Sequence, residues 1–320
     1  MNRYPLIVAP TPLHRLPRLS DELGIDLWIK RDDLTGFALG GNKGRKLEYL
    51  MPEILASGAD TVVTCGASQS NFIRQLGVAC RMAGLECHAV TMPMPYEYDV
   101  PPVQTSSGGN LVLDRLAGVQ VHEHPNATWD ELDSLTKQLV DQLTSAGRTV
   151  YSVPLGGSSP LGAFAFTQAA QELTENFDFI VTPSSSGSTQ TGLAYHFHGT
   201  PTRIIGICAD PEPEMVEVFA SLAAQLDDIL GACAGMKASD FDLRTGYVGP
   251  GYGMVSEAGK WASERLLEAE GVFLDPIYTA KAFAGLLDLV EKREVSGKVL
   301  FWHTGGLPAL FAETGEPTPG

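Results

Sequence analysis

Two lysines, three residues apart, give this chain its sharpest chemical signal. They lie in the run Gly40-Gly41-Asn42-Lys43-Gly44-Arg45-Lys46. The glycines let the backbone turn sharply just ahead of Lys43. Leu47, Leu50 and Met51 continue the run with helical spacing, so Lys43 and Lys46 fall near a helix N-terminus on roughly one face. Cations there oppose the helix dipole unless they serve an anion. A cationic neighbour and a dry pocket also lower an amine's pKa, as a Schiff-base lysine requires. On spacing alone, a solvated basic patch and a reactive lysine pair both fit.

A second run, Ser184-Ser185-Ser186-Gly187-Ser188-Thr189-Gln190-Thr191-Gly192, follows the apolar segment Asp178–Thr182. Hydroxyls and free backbone N–H groups at a helix start make a phosphate cradle. The spacing matches neither the nucleotide-triphosphate loop nor the dinucleotide fingerprint. A small phosphate ester and a plain capping loop remain. Five cysteines, Cys65, Cys80, Cys87, Cys208 and Cys233, show no C-x-x-C pair, so free thiols are expected. Cys65 sits beside a Gly-rich turn without an evident base. His122 with His124, and His196 with His198, have i, i+2 spacing, but no further ligand completes either pair, and no metal is expected.

Strands and helices alternate along the chain. Trp28–Arg31, Thr61–Cys65, His88–Met92, Gly118–Val121, Thr149–Val153, Asp178–Thr182, Arg203–Cys208 and Lys298–His303 read as strands. Helical patterns run from about Phe72 to Ala83, Asp130 to Ala146, Leu161 to Thr174 and from near Thr189. This alternation predicts an α/β fold of mostly parallel sheets covered by helices. Three loops rich in Gly, Ser and Thr follow strand ends, at 66–71, 184–189 and 304–306, where ligands sit in such folds. Pro93–Pro102 reads as an irregular loop or a lid. With 320 residues the chain is long enough for two domains: a smaller one over 50–160, and a larger one from 1–49 with 161–320.

Composition narrows the partners. Hydrophobic residues make up 44% and charged residues 19%, values of a globular protein. A formal net charge of −16 argues against nucleic acid and anionic membranes. No apolar run is long enough to span a bilayer, and the first ten residues lack the pattern of a secretory signal, so a cytoplasmic protein is expected.

Six segments then occur in order: GGNKGRKLEYL, GASQSNFIRQLG, SSSGSTQTGLA, GPGYGMVSEAG, FLDPIYTAKAFAGLLDLV and HTGGLPALF. Together they resemble the family of 1-aminocyclopropane-1-carboxylate deaminases and D-cysteine desulfhydrases, which are fold type II, tryptophan synthase β-like pyridoxal-phosphate enzymes. The resemblance runs from about Leu13 to Phe311. It implies pyridoxal 5′-phosphate as cofactor, with Lys43 as its Schiff-base lysine and Lys46 near its phosphate. It further implies that Ser186, Gly187, Ser188 and Thr189 cradle the phosphate and that Asn71 bonds the ring oxygen. Gln69, Ser70 and Asn71 would bind the substrate carboxylate, and Tyr252 and Tyr278 would flank the substrate. Lys43, Ser70, Tyr252 and Tyr278 are the expected catalytic groups. A homodimer and an active site between two domains are also implied.

Within that family the ring nitrogen separates two chemistries. Deaminases carry a Glu where this chain has Thr279, after Asp275-Pro276-Ile277-Tyr278; the late motif here is His303-Thr304-Gly305-Gly306, as in desulfhydrases. Thr279 and Thr304 can donate to a neutral nitrogen but cannot charge it. The weaker electron sink suits α,β-elimination from a small amino acid with a β leaving group, such as D-cysteine, giving pyruvate and ammonia. Opening a cyclopropane is the alternative, and a silent cofactor- or anion-binding protein is the rival of another class. Phe72 departs from the usual polar residue after Ser70-Asn71, Gly44 replaces a hydroxyl residue, Ala280 and Phe283 replace Gly and Met, and 93–107 matches nothing in the family pattern.

Overall fold

Apolar runs with no polar alternation are read by the fold as strands buried on both faces. Thr61–Ala67 is buried at six of seven positions, and Lys298–His303 at five of six. The computed structural model describes residues 1–93, 105–210 and 212–314. The segment expected as a loop or lid lies, from residue 94 to 102, outside the described residues.

The chain gathers into two compact units, both α/β. One comprises Met1–Leu6, Leu47–Gly157 and Pro308–Gly320; the other Ile7–Lys46 and Ser158–Leu307. The first thus draws in both ends of the chain, which the sequence places with the larger domain, and the boundary falls between Lys46 and Leu47.

In the first unit four parallel strands lie in the order Gln120–Glu123, Glu86–Met92, Thr61–Ala67, Val150–Ser152. A separate antiparallel pair joins Ala312–Thr314 to Thr105–Gly108. The strand Thr61–Ala67 runs through a turn into the helix Asn71–Ala83. Ser70 caps that helix, accepting the N–H groups of Phe72 at 3.2 Å and Ile73 at 3.3 Å, and Gly84 ends it in the left-handed conformation. Phe72 is buried, with a ring so close to Gly157 that a Cβ there would lie 2.5 Å from it. His88 pairs with His122 across two strands, ring nitrogens 3.0 Å apart, rather than His122 with His124. Among the described residues no group of three or more His, Cys, Asp or Glu is placed to hold a metal ion.

The second unit is built on six strands in the order Leu13–Arg15, Asp26–Arg31, Lys298–His303, Phe179–Ser184, Arg203–Cys208, Asp242–Arg244. All neighbours are parallel except the first pair. The core cluster collects Leu27, Ile29, Val181, Ile205, Phe283 and Phe301 from these strands and the helix Thr279–Glu291.

One buried ionic network fixes the start of the helix Lys43–Ala56. Arg45 donates to both oxygens of Asp32, at 2.8 and 2.7 Å, and to both oxygens of Glu172, at 2.6 and 2.9 Å. Lys30 adds a bond to Glu172 at 2.7 Å, and the Trp302 indole N–H one to Asp32 at 2.8 Å. Burial alone would raise the Glu172 carboxyl; hydrogen bonds from Arg45 and Lys30 outweigh it and hold the group at about 2. Removing the cation strands two carboxylates. Arg45→Met is therefore expected to lower unfolding stability in urea by about 3–5 kcal/mol, and a loss well under 1 kcal/mol would contradict this role.

Candidate active site

The sheet of the second unit brings three loops side by side. Phe179–Ser184 pairs in parallel with Lys298–His303 on one side and with Arg203–Cys208 on the other. The segments after their carboxyl ends, Ser185–Gly187, Thr304–Gly306 and Ala209–Asp210, therefore leave the same edge. The loop at 304–306 also abuts the Gly40–Asn42 turn: a Cβ on Gly305 would lie 2.5 Å from the Gly41 Cα. Asn42 joins the pieces, its N–H donating to the Thr304 carbonyl at 2.9 Å and its side-chain amide to the Thr189 hydroxyl at 3.2 Å.

Ser186, Gly187, Ser188 and Thr189 form the start of the helix Ser188–His196, whose first N–H groups no side chain caps. Gly187 has φ +95° and a Cβ there would sit 2.2 Å from the Phe219 ring, so only glycine fits the turn. The hydroxyls of Ser184 and Ser188 are buried without a hydrogen-bond partner among the described residues. Ser158 holds the carbonyl of Ser186 in place. Uncapped amides with stranded buried hydroxyls are the complement of a phosphate, so these residues fit the cofactor's anionic end.

Lys43 and Lys46 open their helix beside this loop cluster, Lys43 half-buried and Lys46 fully buried. Burial is the main cause that lowers the Lys43 amine, to about 8, against the pull of Asp275 and a hydrogen bond with Lys46. Lys46 is pushed well below the ordinary lysine value by burial and then by the charge of Lys43. Burial is thus the first cause of the lowering for both amines.

Tyr252 and Tyr278 meet with hydroxyls 2.6 Å apart and rings edge to face. Burial, then Tyr252, Asp210 and Asp275, raises Tyr278 well above the usual phenol value. Asp275, which the sequence reading did not single out, organises this corner. Its carboxylate accepts the N–H groups of Ile277, Tyr278 and Thr279 at 3.0, 2.9 and 2.8 Å. The available signal was its place just ahead of a helix start, where Asp accepts backbone N–H groups.

Thr279 departs from its expected role. It is fully buried, and its one hydroxyl hydrogen goes to the Asp275 carboxylate at 2.6 Å. No donor is then left for a ring nitrogen. Thr304 is half-buried, and its carbonyl rather than its hydroxyl is tied to Asn42.

In the first unit, Gln69, Ser70 and Asn71 share the turn before the helix Asn71–Ala83. Gln69 differs from expectation: its side-chain oxygen accepts the Asn110 N–H at 2.8 Å and its amide reaches the Gly108 carbonyl at 3.4 Å. Asn110 is fully buried and also donates to the Gln69 carbonyl at 2.8 Å and to the Asn71 side-chain oxygen at 3.1 Å. It is a second residue that the motifs did not reveal; Gly108-Gly109 ahead of a helix start was its only mark. The Asn71 oxygen is thereby engaged and its amide nitrogen is left to donate. The Ser70 oxygen caps the helix and keeps its hydroxyl hydrogen.

Comparison with known proteins supplies independent findings. A family model described as pyridoxal-phosphate dependent enzyme matches residues 5–305. D-cysteine desulfhydrases of Salmonella newport (strain SL254) and Salmonella heidelberg (strain SL476) are each 39% identical over 330 aligned positions, covering 98% of this chain and 97% of the relative. A crystal structure of an ACC deaminase homologue superposes with a TM-score of 0.87 at 34% identity, covering 97% of this chain and 94% of the other. Threonine deaminase isoform 2 from Solanum lycopersicum, at 17% identity and a TM-score of 0.65 over 94% of this chain and 80% of the other, shares the fold.

The lowered amine can be read directly. In cofactor-free protein, acylation of Lys43 followed by peptide mass spectrometry should rise with pH as the amine loses its proton, with its midpoint at about 8. A midpoint at the ordinary lysine value of about 10.4 would refute the burial account.

Proposed function

Because the chain belongs to the pyridoxal-phosphate-dependent enzymes, in the group of 1-aminocyclopropane-1-carboxylate deaminases and D-cysteine desulfhydrases, we propose that it eliminates the β substituent of a small amino acid. D-cysteine is the first candidate, and its products are pyruvate, ammonia and sulfide. The observation that carries the reading is a base and an acid organised by one carboxylate. Asp275 acts electrostatically on the Lys43 amine and binds the backbone of Tyr278.

Pyridoxal phosphate, when bound, would supply an electron sink for the negative charge that develops at the substrate's α carbon. The chain's own groups do the rest. Ser186, Gly187, Ser188 and Thr189 hold the phosphate with backbone N–H groups and hydroxyls, and Lys46 adds a donor there. Lys43 is the amine that would hold the cofactor, and it is also the base proposed to accept the substrate's α proton. Tyr252 or Tyr278 gives a proton to the departing sulfur, which leaves with its bonding electron pair. Thr304 is the hydroxyl proposed to meet the ring nitrogen, without charging it. By the family resemblance, the Ser70 hydroxyl and the Asn71 amide are the proposed donors to the substrate carboxylate and the ring oxygen. Gln69 acts there by shaping the turn rather than by offering its side chain.

A neutral ring nitrogen favours elimination of a good leaving group over cyclopropane opening, which needs a stronger sink. We read the enzyme as a cytoplasmic homodimer without nucleic-acid partners. No helix among the described residues is long and apolar enough to cross a membrane.

Purified holoenzyme assayed with D-cysteine and 1-aminocyclopropane-1-carboxylate side by side should form pyruvate and sulfide from D-cysteine faster than it opens the cyclopropane. The reverse order would reject this substrate class. Lys43→Ala should abolish turnover, and Tyr278→Phe should slow it by about 10²–10⁴-fold if that hydroxyl is the general acid; an unchanged rate would remove Tyr278 from that role.

A further inference from the structure

The two tyrosines are held in unlike ways. Tyr278 is fixed locally: its own N–H is bound by the Asp275 carboxylate at 2.9 Å, at the head of the helix Thr279–Glu291. Tyr252 is held instead by a glycine-rich turn, in which the Met254 N–H donates to the Gly251 carbonyl at 3.4 Å. It lies in Gly249-Pro250-Gly251-Tyr252-Gly253, outside any helix or strand, with Gly249 and Gly253 at φ +70° and +74°. A segment so rich in glycine has many conformations to lose and little of its own to select one.

A buried lysine makes that selection. Lys281, in the first turn of the helix Thr279–Glu291, is 1% exposed. Its amine donates to the carbonyl of Gly251 at 2.8 Å, one residue before Tyr252. A buried ammonium is stable only when paired and hydrogen-bonded. The carboxylates that act electrostatically on it are Asp210, after the strand Arg203–Cys208, and Asp275. Asp210 in turn is hydrogen-bonded by Ser185 of the phosphate loop. Nothing in the reaction described above uses Lys281 or Asp210.

We propose that Lys281 is a positioning residue: its amine clamps the Gly251 carbonyl and so sets Tyr252 at hydrogen-bond distance from Tyr278. The inference rests on reading the tyrosine pair as the proton donor. Without the clamp, the Tyr252 hydroxyl wanders while Tyr278 stays where Asp275 holds it. Loss of Lys281 then slows the reaction chiefly through Tyr252.

The test is a double-mutant cycle on the holoenzyme, joined to amide hydrogen exchange. Lys281→Met keeps the side chain's bulk and removes the donor and charge. It should keep the cofactor's visible band and lower kcat by roughly 10- to 100-fold, the scale of a misplaced catalytic group. In the Tyr252→Phe background the same change should cost less than about threefold, because coupled residues do not add. Lys281→Arg, which keeps both donor and charge, should recover much of the rate. Exchange over residues 249–254 should speed up in Lys281→Met while residues 184–196 stay unchanged. Lys281→Gln, whose donor stops one bond short, should reproduce these shifts if the Met variant does not fold. Full additivity of the two losses, or unaltered exchange at 249–254, would overturn the proposal. The exchange measurement needs no substrate; inactivity of the wild-type enzyme towards D-cysteine would therefore count against the proposed reaction and leave this inference to be decided by exchange.

Discussion

Three cations open one helix, and two carboxylates are spent on only one of them. Arg45 takes both oxygens of Asp32 and both of Glu172. Such a pair is costly to bury and costly to break, so its worth lies in fixing geometry. Here it anchors the helix start from one side and leaves Lys43, two positions before Arg45, and Lys46, one position after it, committed to the other. Enclosure then lowers both amines. A lysine that titrates at about 8 is partly neutral at physiological pH, which is what a nucleophile and a base must be. The stranded hydroxyls of Ser184 and Ser188 and the uncapped helix Ser188–His196 call for the anion that the same corner of the fold is built to receive.

Asp275 plays the corresponding part for the acid. Its carboxylate sets the backbone of Tyr278, consumes the Thr279 hydroxyl and raises the Lys43 amine against burial. One buried charge thus constrains both the proposed base and the proposed acid. The same commitments limit the chemistry: with Thr279 engaged, Thr304 is the remaining candidate of the two threonines for the ring nitrogen, and neither can protonate it.

Much of this was legible in the sequence because it is local. Arg203–Cys208 and Lys298–His303 are strands over the residues their apolar runs mark. The helix expected from Phe72 begins at Asn71, since Ser70 caps it. Where tertiary contacts intervene, the reading fails. The helix expected to reach Thr174 ends at Ala170, and Glu172 beyond it turns its carboxylate to Arg45 and Lys30. The helix Gly109–Ala117 went unread: Gly108 and Gly109 hide its start, and Asp114 buried near Arg74 breaks its apolar face. In the site, residue types were readable but their commitments were not. Gln69 is engaged by Asn110, 41 residues away, and Thr279 by Asp275, four residues back but only once the loop has closed. Lys281 lies within a quoted motif, yet its role depends on Gly251, 30 residues earlier.

The whole account turns on which amine carries the cofactor. Lys43, Lys46 and Lys281 are all enclosed and all lowered in pKa, so burial alone does not choose among them. Reducing the holoenzyme with borohydride fixes the lysine linkage as a stable pyridoxyl-amine, and peptide mass spectrometry then locates it. The account predicts the pyridoxyl mass on Lys43 alone. Finding it on Lys46 or Lys281, or on no lysine at all, would contradict it.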